Sequence, residues 1–365
     1  MATSDIIDSD SKNDSIDIYG IPDVNCFKIP LKKDTDFGIE ISGKNIDYSI
    51  VNSIRQSIMK YVPIYGFHRS HVTIDSRTRV MYNYDMIYGQ IEMLPIFDLD
   101  NNFDLEDPEL FLPDEVMKHI FGKFIPEKYS NYQEDDKKVE PIPNKKLHKI
   151  EISVNYKNST DSHKYLSTHD LNLRINEKNL GNYIKHTPIN ILVVKSGEEI
   201  AFKAEANLGI ATISSIYEAT TNAYHKEINS SKYELYYTTL GQLTNDVIFT
   251  KACTILIKKL EHLSIFIEGK YKKEPSTKTM EIELYGEDYT LGNLLATALQ
   301  KCNFIKAAGC DMSHLFKENI TIRYKLNSGT KIGQIKLLLD IINYLINLLR
   351  EIIKRASESK YHKKG

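Results

Sequence analysis

The sequence predicts an α+β protein. Two modules, each a small antiparallel sheet with long packing helices, form an intrachain pseudo-dimer, and a β-rich subdomain is inserted in the first. Three observations carry this reading. The order strand, helix, strand, long helix occurs twice, over residues 38–75 with 188–266 and again over 277–355. The closing helix of the second copy carries more apolar surface than one small sheet can cover. No residue of that second unit belongs to a constellation able to do chemistry.

Composition sets the outer bounds. A chain of 365 residues is long enough for two or three domains with substantial cores. The formal net charge is −2 and the isoelectric point is near 6.6, so no global basic field argues for direct contact with nucleic acid. The four cysteines, Cys26, Cys253, Cys302 and Cys310, are scattered and form no Cys-x-x-Cys pair, which argues against a zinc or iron–sulfur site of usual spacing. Cys253 and Cys302 fall on apolar helical faces, as core cysteines do. Few cysteines and no signal peptide point to a reducing, intracellular setting.

Residues 1–25 are rich in Asp and Ser (Asp5, Asp8, Asp10, Asp14, Asp17) and are expected to be disordered. A first module is placed at 26–96 plus 188–268. Its strand at Gly38–Ser42 precedes a helix that Asp47 can cap, which carries Ile50, Val51, Ile54 and Ile58 and is stopped by Pro63. Phe67–Ile74 alternates like a strand. Asn190–Ile210 reads as a hairpin turning at Ser196-Gly197, with Ile200, Phe202, Ala204 and Ala206 on one face of its second arm. Thr244 then caps a long helix bearing Ile248, Ala252, Ile255, Leu256, Leu260 and Leu263.

Residues 97–187 form the predicted insertion. It opens on Asp98, Asp100, Asp104, Glu106 and Asp107. This is a solvated acidic loop rather than a calcium loop, because the Gly and closing Glu of such a loop are not in place. A short helix at Pro113–Phe121, a charged loop at Pro126–Lys146 and strands near Lys149–Tyr156 and Leu171–Ile175 follow. A Lys-rich linker at 269–276 leads into the second module.

The second module, 277–356, opens with a strand at Met280–Tyr285. In the next helix Leu291, Leu294, Leu295, Ala298, Leu299 and Cys302 recur at helical spacing on one face, and Thr290 is the expected N-cap. Gly292 weakens a helix unless something approaches closely there; the alternative is an ordinary amphipathic helix with an incidental Gly. A strand at Asn319–Lys325 leads to the closing helix, Lys331–Arg355. Its polar side chains (Lys336, Asp340, Asn343, Asn347, Arg350, Lys354) fall on one narrow stripe, and the rest is Ile and Leu over well more than half the circumference. Leaving half a dozen of these in water would forgo roughly 10 kcal/mol, comparable to the stability of a whole domain. The helix is therefore expected to lie between its own sheet and a second body, with Leu345 and Leu349 on the sandwiched surface. Asp340, Asn343 and Asn347 break any run approaching the ~20 apolar residues of a membrane span. The tail at 357–365 is basic: a solvated end, or a contact for nucleic acid or an acidic neighbour.

The residues Glu287-Asp288-Tyr289-Thr290-Leu291-Gly292-Asn293-Leu294 closely resemble the signature of the small dimerisation subunit of cellular RNA polymerases, with Tyr289 where that family usually has His. Ala307-Ala308-Gly309-Cys310 and Ser313-His314-Leu315 resemble the turn that follows it. The first copy is similar to the larger alpha-type partner, through Asn52-Ser53-Ile54-Arg55 with Tyr61-Val62-Pro63, Met93-Leu94-Pro95-Ile96, Ser167-Thr168-His169-Asp170-Leu171, Gly197-Glu198-Glu199-Ile200 onward to Gly209-Ile210, and Thr239-Leu240-Gly241. Both partners in one chain resemble the fused arrangement of large cytoplasmic DNA viruses. The family's His-Ala-Lys-Trp-x-Pro after Gly-Ile is absent, Gly89 and Gln90 replace a His-Arg, and the insertion lacks the Cys-rich metal loop of some members.

The resemblance implies two alpha-subunit-type dimerisation modules and a non-catalytic assembly platform for a DNA-directed RNA polymerase. Its partners would be the two largest subunits and small accessory subunits, with DNA and RNA met only through the complex, no membrane, no homodimer, and neither metal nor cofactor. Asn52 and Arg55 would dock a large subunit; by periodicity alone Arg55 is equally a solvent-exposed helix residue. Thr290, Leu291, Gly292, Asn293 and Leu294, with Leu345 and Leu349, would line the pseudo-dimer interface. The expected location is intracellular, in the virion and host cytoplasm for a viral source. Two rival readings are an enzyme and a stand-alone adaptor using the same pairing fold.

Overall fold

A computed structural model describes residues 22–96, 112–121, 149–176, 178–182, 187–271, 279–312, 319–330 and 332–359. The acidic cluster at Asp98–Asp107, the Pro126–Lys146 loop, most of the N-terminal tail, most of the linker and the end of the basic tail lie outside these residues.

From the N-terminus, strands β1 (Asn25–Lys28) and β2 (Asp36–Ser42) lead into helix α1 (Tyr48–Lys60). Then come β3 (Ile64–Gly66), β4 (Val72–Ile74), α2 (Tyr84–Glu92) and α3 (Asp114–Phe121). Strands β5 (Ile150–Lys157), β6 (Lys164–Ser167), β7 (Asn172–Ile175), β8 (Lys178–Asn182), β9 (Asn190–Val194) and β10 (Glu199–Gly209) follow. The hairpin β11 (Thr220–Asn229) and β12 (Lys232–Thr239) precedes the long helix α4 (Asn245–Lys270). The chain closes with β13 (Thr279–Tyr285), α5 (Tyr289–Lys301), β14 (Ile305–Asp311), β15 (Asn319–Leu326) and α6 (Gln334–Glu358).

The architecture is mixed α+β with small antiparallel sheets, as the periodicities predict. One sheet runs β1-β2-β12-β11 and another β13-β15-β14. Both follow one plan. The strand before a thirteen-residue helix pairs with the strand before a long helix, and a third strand takes the far edge. In β2 and β13 burial alternates, so one face of each sheet turns to the helices. A single hydrophobic core joins them, from Val24 through α1, α4 and α5 to Ala356 on α6. Among the described residues α4 packs most extensively against α6, and α1 also touches α5. Ile335, Leu337, Leu338, Ile341, Ile342, Leu345, Ile346, Leu348, Leu349 and Ile352 of α6 are buried, while Lys336, Asn343, Asn347, Arg350 and Lys354 are exposed. The apolar excess on that helix is thus covered by a second helix.

A second core gathers residues from Tyr61 to Ile210 with Ile255 of α4. Its main sheet runs β3-β10-β5-β7-β8, with β4 also on β10; β6 and β9 form a separate ladder. Asn190–Ile210 is not a hairpin, because β9 pairs with β6 and β10 with β3, β4 and β5. Gly197 does turn, at φ +78°, but the corner closes on the end of β5: Gly197 N–H donates to Asn158 O (2.8 Å) and Asn158 N–H to Glu198 O (3.0 Å). Ile200, Phe202, Ala204 and Ala206 do share a buried face, shared with the strands at 150–175 rather than with the first sheet. The expected strand at Phe67–Ile74 is broken by a 3-10 turn at Arg69–His71, leaving only β4.

Candidate functional site

The most heavily bonded place between the two similar halves is where the turn before α5 meets α1 and α4. Gly286 (φ +72°) reverses the chain after β13. Asp288 follows in extended conformation and caps α5, its Oδ1 accepting from the Thr290 N–H at 2.8 Å. Asp288, and not Thr290, is therefore the N-cap. Its Oδ2 lies 2.7 Å from Lys60 Nζ, the last residue of α1. At the opposite ends of the same two helices, the α1 cap Asp47 accepts from Ile50 N–H (3.1 Å), and its Oδ2 lies 2.6 Å from Nζ of Lys301, the last residue of α5. The two helices are thus tied by reciprocal cap-to-last-turn ion pairs, each also favoured by the helix dipoles. Between them the Ser53 hydroxyl, which donates to the Ser49 carbonyl of its own helix at 2.7 Å, also lies 3.2 Å from the Thr290 carbonyl, sharing its proton between the two helices.

Glu287 reaches further in. Both carboxylate oxygens lie 2.9 Å from Nζ of Lys259 on α4, and the two side chains are only 1 % and 3 % exposed. The Lys259 ammonium also stands 4.4 Å above the Tyr61 ring. Burial drags Lys259 down, yet the Glu287 carboxylate, with Tyr61 and Asp288, outweighs it and leaves the ammonium above its ordinary pKa. Burial, joined by the nearby Asp288 charge, pushes Glu287 up despite the opposing Lys259 and Lys60 ammonium groups. For Asp288 burial is outweighed by the bonds to Lys60 and Thr290, so it ends below the usual carboxylate range. Burial raises the Tyr61 phenol. These groups are built for holding, since every carboxylate at the junction is matched by a lysine.

The expected site residues divide between this junction and other places. Leu291, Leu294, Leu345 and Leu349 are buried in the shared core. Thr290 contributes its carbonyl, as above. Gly292 faces its own sheet: a Cβ there would stand 2.2 Å from Ile320 Cδ1 of β15. Its smallness lets α5 lie close on β15, which answers the question the helix-weakening Gly raised. Asn293 is exposed and accepts from Cys310 Sγ of β14 at 3.1 Å, again within its own half. Asn52 and Arg55 sit half-buried on α1, where Asn52 Oδ1 accepts from Arg55 Nη2 (2.8 Å) and Nε (3.3 Å). Sequence reading missed Lys60, Lys259, Asp47 and Lys301 as members of the site. Lys259 did carry a signal, because it sits between Ile255, Leu256, Leu260 and Leu263 on an apolar face. A lysine there needs a buried partner.

Among the described residues no three His, Cys, Asp or Glu side chains converge so as to hold a metal ion, and no helix is long and apolar enough to cross a membrane.

Residues 279–355, running from β13 into α6, match the family model of the RNA polymerase Rpb3/Rpb11 dimerisation domain. The chain is also 45% identical over 346 residues to the protein of Acanthamoeba polyphaga mimivirus named "Putative DNA directed RNA polymerase subunit R470", covering 94% of this chain and 97% of that one. The chain belongs to this family of RNA polymerase subunits. The matched segment includes Glu287 and Asp288, so the polymerase subunit carries its dimerisation-domain signature where the turn before α5 is bound by Lys60 and Lys259. Similarity to the viral relative extends beyond that segment across both sheets and the second core.

Proposed function

We propose that the two halves pair as an intrachain pseudo-dimer, and that the paired unit is a non-catalytic assembly platform on which the two large catalytic subunits of the polymerase dock. The observation that carries this is the reciprocal tie between α1 and α5, Asp47 to Lys301 and Lys60 to Asp288. Two thirteen-residue helices that exchange their caps in this way behave as two subunits related by an approximate two-fold axis. The first module comprises β1, β2 and α1 with β11, β12 and α4, and the second comprises 279–358. The residues of the second core form an inserted subdomain, wider than the 97–187 expected from sequence. The second core's own packing supports this extent.

Asn52 and Arg55 are the docking residues for a large subunit. Their mutual hydrogen bonds pre-set the guanidinium on α1 before a partner arrives. Nucleic acid is reached only through the complex. The reading places the subunit inside the cell, and in the virion and host cytoplasm for a viral source.

Affinity purification of the tagged chain tests the platform. Two very large chains should be recovered in equal amounts, and Arg55→Glu should leave the subunit folded while reducing recovery of the second-largest subunit at least tenfold. Purification without the large chains, or with other partners only, would favour a stand-alone adaptor. Unchanged recovery with Arg55→Glu would remove Arg55 from the docking surface.

A further inference from the structure

The junction is symmetric in one respect and asymmetric in another. The cap ties are symmetric. Asp47 and Lys60 bound α1 as Asp288 and Lys301 bound α5, so any pairing of halves, like with unlike or like with like, would satisfy them. The buried pair is not. Glu287 directly precedes the α5 cap, and the residue directly preceding the α1 cap is Ile46. Lys259 lies fifteen residues beyond the α4 cap Thr244, and the residue fifteen beyond the α6 cap Gly333 is Leu348. Both Ile46 and Leu348 are buried in the shared core. One of the two related positions thus holds an ion pair, and the residues at the same offsets on the other side are both apolar and buried.

Consider the pairings that two copies could make. Two first halves would set Lys259 opposite Ile46 twice. Two second halves would set Glu287 opposite Leu348 twice. Each leaves two charges buried without a partner, a cost the cap ties cannot offset. Only a first half against a second half gives every group a match, and within one chain the two are held at high effective concentration.

We infer that the Lys259–Glu287 pair, set against Ile46 and Leu348 at the related positions, is the specificity determinant that makes unlike halves pair and keeps like halves of separate chains apart. This rests on the pairing of the halves proposed above. The pair acts by excluding alternatives, as a single buried polar residue selects register in some coiled coils.

The test moves the lysine. In the full-length variant Lys259→Leu with Leu348→Lys, both charges belong to the second half. They meet only when two chains pair like with like. The light-scattering mass should double relative to the wild-type monomer. Zero-length carbodiimide cross-links should switch from Asp47–Lys301 and Asp288–Lys60 to Asp47–Lys60 and Asp288–Lys301 between chains. Adding Ile46→Glu and Glu287→Ile places the whole ion pair at the related position and should restore the monomer, the original cross-links and a near-wild-type melting temperature. A double variant that stays monomeric with wild-type stability and cross-links overturns the inference. If the double variant only aggregates, the fourfold variant decides: recovery supports the inference, and equal aggregation overturns it. Failure of the Asp47–Lys301 cross-link in the unaltered chain would instead remove the pairing of halves itself, wherever the lysine stands.

Discussion

Glu287→Gln is the most demanding single test of the junction, because the substitution keeps the shape and removes only the charge. Lys259 and Glu287 are 3 % and 1 % exposed, so solvent screens them very little. Removing one member of a buried pair typically costs about 3–5 kcal/mol, because the other charge stays behind desolvated. Gln can still accept one hydrogen bond from the ammonium, which sets the expectation at the lower end, about 3 kcal/mol. Lys259→Met should cost a similar amount by stranding the carboxylate. The double variant Lys259→Met with Glu287→Leu removes both charges and should recover most of the loss, since apolar replacements of buried pairs are often neutral or stabilising. Urea unfolding of the double variant and its two parents, Lys259→Met and Glu287→Leu, read by circular dichroism as a double-mutant cycle, supplies the coupling. Raising salt should leave that coupling unchanged, while the more exposed Lys60–Asp288 and Lys301–Asp47 ties weaken. A Glu287→Gln unfolding free energy within about 0.5 kcal/mol of wild type, the scatter of ordinary surface substitutions, would mean that the pair is solvated and the reasoning from burial is wrong.

Further outcomes follow from other contacts. Gly292→Ala should destabilise by about 1–3 kcal/mol through overpacking on Ile320, measured by thermal melting; an unchanged melt would show that α5 can ride off its sheet freely. Leu345→Asp with Leu349→Asp puts two carboxylates into the shared core and should cause aggregation, seen by light scattering. Lys251 on α4 is pulled by burial to about 7, so between pH 7 and 9 the unfolded chain binds the proton and the folded chain releases it. Stability should therefore rise with pH across that window by up to about 1.4 kcal/mol per unit, and Lys251→Met should flatten the rise; the same slope in both proteins would refute it.

Periodicity made the helices legible. The apolar spacings of α1, α4, α5 and α6 appear in the sequence nearly as they appear in the fold, because a helix buries a face that its own residues define. Asp47 was readable as a cap for the same local reason. Thr290 was misread because two candidate caps stand two residues apart, and only the extended backbone at Asp288 decides between them. Strands were harder. β11 is an edge strand with exposed Thr221, Asn222, Tyr224, Lys226 and Glu227, so it shows little apolar alternation. β14, with Lys306, Ala307 and Gly309, reads as a turn. The false hairpin at Asn190–Ile210 has another cause: alternation tells which face is buried, and not which strand lies alongside. The site was half legible. Its hydrophobic members and its acidic motif are in the sequence, whereas Lys60 and Lys259 lie 228 and 28 residues from their partners and become partners only through the fold.

Helix α4 shows how both cores and the junction are packed into one body. A helix buried on one side packs on one body, and one buried all round packs on several. On α4 the buried set includes Ile248, Ala252, Ile255, Leu256, Leu260 and Leu263, and also Lys251, Lys259 and His262. Its neighbours account for this. α6 runs along it, and the Ser57 hydroxyl of α1 donates to the Ala252 carbonyl at 2.8 Å. Ile255 enters the second core, and the His262 ring packs on Phe121 of α3 with centroids 4.6 Å apart. Just before the helix, the buried Gln242 side chain donates to Tyr65 O and accepts from Tyr65 N–H, fixing the start of the second core to the root of α4. The helix can be buried over most of its circumference because each sector meets a different body, with Asp246, Thr250, Ile265 and Glu268 left exposed along one stripe, and its buried polar groups mark where those bodies must be held in one orientation. Such a shared rod turns three packing contacts into one rigid frame. Any substitution that loosens one sector of α4 should therefore be felt at the other two.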